Sequence, residues 1–267
     1  MPNVQSGPSQ YVQKFGEQTI AGSPYALKKL GIDRTRCSLK IEEYIILCVP
    51  FQLGFKRSIF MASLSKQELL FFHNYANSII GLSISLNPDN RPEPVKFFLR
   101  CTLSSIGKMK GREDVGLFVV DYKTLPDEMT LMLGNYMEVQ ERIKNQYDDY
   151  GKTLIKINQE TANTMGYNMF STVTEPGKES RRILVLSISS QFLEYVEAEG
   201  SPVLEPNTQV SFQLYFKKYR ISINGKISAA GPLPQRLIRS VVNLEFNPEL
   251  VEIIDAYWYG MKKNAKK

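Results

Sequence analysis

The sequence predicts a mainly β protein with α: two small antiparallel β-domains in tandem, barrel or sandwich, each ending in an α-helix. Three observations lead there. The chain has 267 residues, enough for two domains of roughly 120–150 each. Short apolar runs follow one another closely, with turn signals such as EPGK, EAEG and SINGK between them, which is the rhythm of tight antiparallel connections. One pattern also occurs twice. VGLFVVDYKTLPDEMTLMLGNYMEVQERI at 115–143 and SVVNLEFNPELVEIIDAYWYGMK at 240–262 each read as an apolar strand, a turn with a proline and an amphipathic helix. Pro126 and Pro248 sit where a first helical turn tolerates proline, and an acidic residue follows each, suiting the positive end of the helix dipole. A strand-and-turn series precedes both copies, so the unit is repeated as a whole.

The elements follow in order. Residues 1–25 read as a polar, flexible start. EYIILCVP at 43–50 and FKRSIFM at 55–61 are strands. A helix over 65–79 opens at Ser65 with Glu68 three residues on, a capping-box pattern. Strands near 80–86, 95–103 and 115–121 complete a first domain over 26–145. EVQERIKNQYDDYGK at 138–152 is polar and ends in glycine, so it reads as helix end and linker, the linker reaching to 163. The second domain, 164–267, takes strands near 168–174, 182–189, 191–197, 208–216, 218–228 and 239–245, a final helix and a basic tail.

Composition bounds the function. Hydrophobic residues are 43% and charged ones 22%, the balance of a globular protein. With 33 Lys+Arg against 27 Asp+Glu the net charge is +6, which favours an anionic ligand or partner and falls far short of a nucleic-acid-binding footprint. Cys37, Cys48 and Cys101 lie in or near apolar runs without CxxC spacing, so buried thiols are expected rather than a zinc knuckle or disulfide framework. Without a leader pattern or a long apolar stretch, a soluble cytoplasmic protein without membrane insertion is expected. The single histidine, His73, lies on a predicted helix among apolar residues and lacks partners for a triad or metal site. With no GxGxxG or P-loop either, the usual parts of hydrolases, dehydrogenases and kinases are missing, and neither enzyme, metal nor cofactor is expected.

The residues that remain for ligand chemistry cluster in RRILVLSISSQFLEY at 181–195. Arg181 and Arg182 with a following hydroxyl cluster suit a phosphate, or the polar rim of a hairpin. Strict alternation puts Arg181, Ile183, Val185, Ser187 and Ser189 on one face and Arg182, Leu184, Leu186 and Ile188 on the other. Edge charge is the expected role of both arginines. A second basic group, Arg34, Arg36, Lys56 and Arg57, reads as the polar faces of two strands, and the aromatic-rich helices as packing surfaces.

LSISSQFLEY, EPNTQVSFQLYF and the closing strand and helix give residues 152–262 a resemblance to the PilZ family, which includes bacterial receptors for cyclic di-GMP. The preceding domain, through YIILCVPFQLGFKRSIFMASLSKQELLFFHNYANSIIGLSI, looks like the divergent PilZ-like module that precedes some PilZ domains. The resemblance implies two tandem barrels. It also implies a ligand site made of RxxxR before the first barrel strand and (D/N)xSxxG some way after it. Forked guanidinium groups bind phosphates and guanine edges, the Asp or Asn accepts guanine N–H bonds, and glycine admits the bulky ligand. Here Ser189 matches the motif serine, Ser187 stands for Asp/Asn, and Phe192 for glycine. The only counterpart of RxxxR is Lys152-Thr-Leu-Ile-Lys156, whose lysines lack the fork and the stacking plane. The resemblance thus implies a bacterial cytoplasmic adaptor with a protein partner in motility or envelope machinery and an eroded cyclic di-GMP site. A receptor still binding the nucleotide near the linker is the alternative.

Overall fold

The computed structural model describes residues 7–87, 94–197, 200–217, 220–234 and 237–264. It divides into two units, Met1–Val139 and Gln140–Lys267. The first holds α1 (Pro8–Phe15), β1 (Thr19–Ala21), α2 (Pro24–Lys29), β2 (Cys37–Ile41), β3 (Tyr44–Gly54), β4 (Arg57–Ser63), α3 (Lys66–His73), β5 (Ile79–Leu86), β6 (Val95–Lys108) and β7 (Val115–Tyr122). Then α4 (Asp127–Gly151) runs past the division. The second unit continues with β8 (Ile155–Lys156), α5 (Gln159–Met165), β9 (Tyr167–Thr174), β10 (Arg181–Ile188), β11 (Phe192–Glu197), β12 (Gln209–Phe216), β13 (Arg220–Leu233), β14 (Leu237–Leu244) and α6 (Pro248–Asn264).

Each unit closes a six-stranded antiparallel barrel, and the two rings have one topology. β2 pairs with β3, β3 with β4, β4 with β7, β7 with β6, β6 with β5 and β5 with β2. In the second ring β9, β10, β11, β14, β13 and β12 follow the same path, and β12 returns to β9. The likeness extends to irregularities. The second strand of each ring slips register against the third, between Pro50 and Gln52 and between Val185 and Ser187. The fifth strand slips against the sixth, between Leu103 and Ser105 and between Ile227 and Ala229. Bulges at matching corners are what closing a small barrel requires. Both rings also carry a short strand, β1 or β8, on the outer edge of the second strand, followed by a short helix. The repeat expected from strand, proline turn and helix is therefore a repeat of the whole barrel.

Alternation sets the cores. Ile46, Cys48, Leu53, Phe60, Leu82, Ile84, Leu103, Phe118 and Val120 fill the first barrel; Val173, Ile183, Val185, Leu193, Tyr195, Phe212, Leu214, Ile223 and Val242 the second. All three cysteines are buried and free. Burial pushes the Cys37 thiol up to about 11 and that of Cys101 to about 12, which leaves both as packing groups. Asn247 caps α6 by accepting from Leu250 N at 3.0 Å, with Pro248 as its first residue.

Three expectations change. Residues 8–21, expected to be part of a flexible start, form α1 and β1, because Tyr11 and Phe15 have a core to enter. The expected helix over 65–79 ends at His73, since Asn77 adopts φ 66° and Ile79 begins β5. The stretch 138–152 continues α4 to Gly151, held by Ile143, which is buried, and by Tyr147 and Tyr150 at helical spacing. The EAEG turn, the start of the strand expected at 218 and the last basic residues fall partly outside the described residues.

Ser65 caps α3 as its sequence predicts: its hydroxyl accepts from Glu68 N at 3.2 Å, and the Glu68 carboxylate accepts from Ser65 N at 2.7 Å. Replacing Ser65 with alanine is expected to cost about 1 kcal/mol, read as a shift of the first unit's unfolding midpoint in urea. An unchanged midpoint would mean that packing alone holds α3.

Candidate functional site

The motif residues lie where β10 meets β8 and β11. The bulge at Leu186 breaks the alternation predicted for this strand. Ile183 and Val185 point into the core, but so does Ile188, while Ser187 moves to the outer face. Ser187 therefore does not share a face with Arg181. It sits in a row across three strands, with Lys156 of β8 on one side and Glu194 of β11 on the other. Its hydroxyl donates to Glu194 Oε2 at 2.7 Å, and Glu194 also pairs with Arg239 of β14. The structure thus brings together Lys156 and Ser187 from the predicted set and adds Glu194 and Arg239.

Ser189 is buried and turned onto its own chain. Its hydroxyl accepts from Phe192 N at 2.9 Å and from Gln191 N at 3.2 Å, and its amide donates to Phe192 O at 2.8 Å. The end of α4 packs on this turn. Ser190 Oγ donates to Tyr147 O at 2.5 Å, and Gln191 Nε2 to Asp148 Oδ1 at 3.2 Å. A Cβ on Gly151 would lie 2.3 Å from the Gln191 side chain, so glycine there is a condition of the fit. Phe192, in the family glycine position, begins β11 half exposed.

Arg181 departs from the expected edge charge. Its Nη1 donates to Glu175 Oε1 at 2.7 Å and its Nε to Glu197 Oε1 at 2.8 Å, with both carboxylates buried. Burial opposes the guanidinium charge, but the bonds from Glu197 and Glu175 outweigh it and raise its pKa. Lys178 and then Arg181 hold Glu175 below the usual carboxylate range against its own burial. The buried Tyr195 phenol nearby is pushed up to about 12 by burial. Register explains why sequence reading missed this cluster: Glu175 and Glu197 approach Arg181 only once β9, β10 and β11 pair.

The remaining candidates stand apart. Arg182 is exposed, its guanidinium 5.2 Å from the centroid of the Phe170 ring. Lys152 is exposed just beyond α4. In the first unit Lys56 pairs with Glu17, Arg36 with Asp33 at 3.4 Å, and Arg57 with Asp121 at 2.5 and 3.0 Å. Those cations serve neighbouring carboxylates. His73 is exposed at the end of α3. Among the described residues no group of His, Cys, Asp and Glu is arranged to hold a metal, and no helix is long and apolar enough to cross a membrane.

The family model of the PilZN3 domain matches residues 8–140, close to the whole first unit. No curated protein sequence matches the chain. Among solved structures, the PlzA protein of Borreliella burgdorferi in complex with c-di-GMP is 15% identical with a TM-score of 0.48, covering 94% of this chain and 97% of that one. YcgR of Escherichia coli in complex with c-di-GMP is 8% identical with a TM-score of 0.32, covering 94% and 96%. The Inhibitor of motility (MotI/DgrA) of Bacillus subtilis is 10% identical with a TM-score of 0.29, covering 88% and 99%. With its first barrel matched as a PilZN3 domain and its second built on the same ring, the chain belongs to the PilZ family as a tandem PilZ-like protein.

Proposed function

We propose that this protein is a non-catalytic adaptor in cyclic di-GMP signalling whose own nucleotide site is eroded and which acts through a protein partner. One observation carries the reading: the polar atoms of the motif are committed to the protein itself. Ser187 donates to Glu194, Ser189 accepts from its own turn, Ser190 and Gln191 bond to α4, and Arg181 serves two carboxylates. A cyclic dinucleotide would meet Glu194 where the motif offers Asp or Asn, and its phosphates would find Lys156 without a guanidinium fork.

Calorimetric titration of the full chain with cyclic di-GMP at near-physiological salt is expected to give no saturable binding at micromolar concentrations. Saturable micromolar binding would overturn the eroded-site reading. The second reading, a working receptor near the end of α4, draws support from Lys156 standing opposite Ser187 in register, with Arg239 across Glu194. On that reading the nucleotide binds, and Lys156→Ala or Arg239→Ala weakens it.

A further inference from the structure

We infer that the second barrel binds an ordered internal water at the end where β10 begins and β11 finishes, held among Arg181, Tyr195, Glu197 and Ser240. The inference does not rest on the adaptor reading. These side chains face the barrel interior, whereas Ser187 of the ligand motif lies on the outer face.

The two barrels of this chain are controls for each other. With the rings set in register on their matching bulges, Ile41 corresponds to Glu175, Ile46 to Arg181, Phe60 to Tyr195, Ala62 to Glu197 and Phe118 to Ser240. All five residues of the first barrel are buried, so that barrel closes this end with hydrocarbon. The ring folds without polar groups here, and the second barrel carries a buried charged cluster that closure does not demand. It also carries less bulk on β14. Where Phe118 presents a phenyl ring, Ser240 presents a hydroxymethyl group, and Glu197 in place of Ala62 returns only part of that volume.

Four polar atoms in this corner have unmet hydrogen bonds. Arg181 Nε donates to Glu197 Oε1 at 2.8 Å. Nη2 of the same guanidinium and Oε2 of the same carboxylate find no partner among the described residues, and neither do the Tyr195 and Ser240 hydroxyls. Tyr195, Glu197 and Ser240 are only 0%, 2% and 1% exposed, so bulk solvent does not serve them. Tyr195 and Glu197 share one face of β11, and Ser240 of β14 pairs directly with Tyr195. Beside burial, Ser240, Glu197, Arg181 and Glu175 all act on the Tyr195 phenol, so its hydroxyl lies among them. Buried groups of this kind are satisfied in folded proteins by protein or by ordered water.

Charge and valence select the occupant. Arg181 and Lys178 balance Glu175 and Glu197, which favours a neutral molecule. Arg181 Nη2 can only donate and Glu197 Oε2 can only accept, while the two hydroxyls do either. An anion would accept from Arg181 but face the Glu197 carboxylate with nothing to give it. An ammonium or metal ion could not accept from Arg181. Water has two hydrogens and two lone pairs, and two to four polar partners are what an internal water needs. It accepts from Arg181 Nη2, donates to Glu197 Oε2, and completes its shell with the hydroxyls of Tyr195 and Ser240. The result ties β10, β11 and β14 into one network.

Oxygen-17 relaxation dispersion on the full chain tests this, because it reports the water oxygen and is blind to exchanging hydroxyl protons. The parent is expected to show a dispersion from at least one long-lived water. In Ser240→Val, whose methyl groups take the space, the amplitude should fall by one water. Tyr195→Phe keeps the ring and removes one partner, so the amplitude should fall or the dispersion move to higher frequency as exchange quickens. This milder variant decides the matter if Ser240→Val does not fold. No dispersion in the parent, or a dispersion indifferent to the substitutions, overturns the proposal. A crystal structure in which Glu197 turns to bond Arg181 Nη2 directly, with no density among the four groups, overturns it as well.

Discussion

Replacing Arg181 with methionine is expected to destabilise the second unit by about 3–5 kcal/mol, the cost of breaking a buried ion pair from one side. The side chains of Glu197 and Glu175 are 0% and 8% exposed, and that of Arg181 is 23% exposed. Methionine keeps the bulk and removes the charge, leaving Glu197 buried without its cation. Urea unfolding followed through Trp258, the single tryptophan, which packs against this core, reads the loss directly. The sign of the pH dependence follows from Glu175. Lys178 and then Arg181 depress its folded pKa below the ordinary glutamate value, so its contribution is present above that ordinary value and lost as pH falls through the folded one. Without Arg181 the Glu175 carboxylate protonates more easily, and the gap between variant and parent narrows on acidification. Changing Glu175 and Glu197 to glutamine in the Arg181→Met chain should recover part of the loss. A cost under about 1 kcal/mol, the range of surface pairs, would show that solvent screens this network.

Gly134→Ala is expected to cost at least about 1–3 kcal/mol through overpacking. A Cβ on Gly134 of α4 would lie 2.2 Å from the Tyr11 ring, which cannot yield because it is buried against the first core. The Tyr11 hydroxyl donates to Asn135 Oδ1 at 2.6 Å and Glu138 Oε2 at 3.1 Å, so the ring is also held at its far end. The extra methyl must lift α1 and expose Tyr11 and Phe15. Faster amide hydrogen exchange confined to residues 8–16 is the expected signature. In a Tyr11→Ala background the same substitution should cost little, since the two act on one contact. Additive losses in the double variant would place the strain elsewhere.

Much of this architecture was legible in the residues. The duplicated strand, proline and helix announced two equivalent units, and the Ser65–Glu68 spacing marked the start of α3. Less legible were the elements that packing creates. α1 and α5 have 8 and 7 residues, too short to be stable on propensity alone. The last turns of α4, over 138–152, read as helix end and linker because their exposed residues are polar. Ile143, Tyr147 and Tyr150 at helical spacing were the signal that it continues.

The candidate site divides along the same line. The residues alone located the motif at Ser187–Phe192 and showed the missing RxxxR, because identity and spacing are local properties. They also implied the barrels, since turn signals and alternation report which strands neighbour which. Only the tertiary structure decided what the motif atoms do. A one-residue bulge at Leu186 turned Ser187 from the inner face to the outer one, and strand pairing carried Glu175 and Glu197 to Arg181. Such contacts join residues through register rather than sequence spacing, and a slip of one residue reverses which face a side chain occupies.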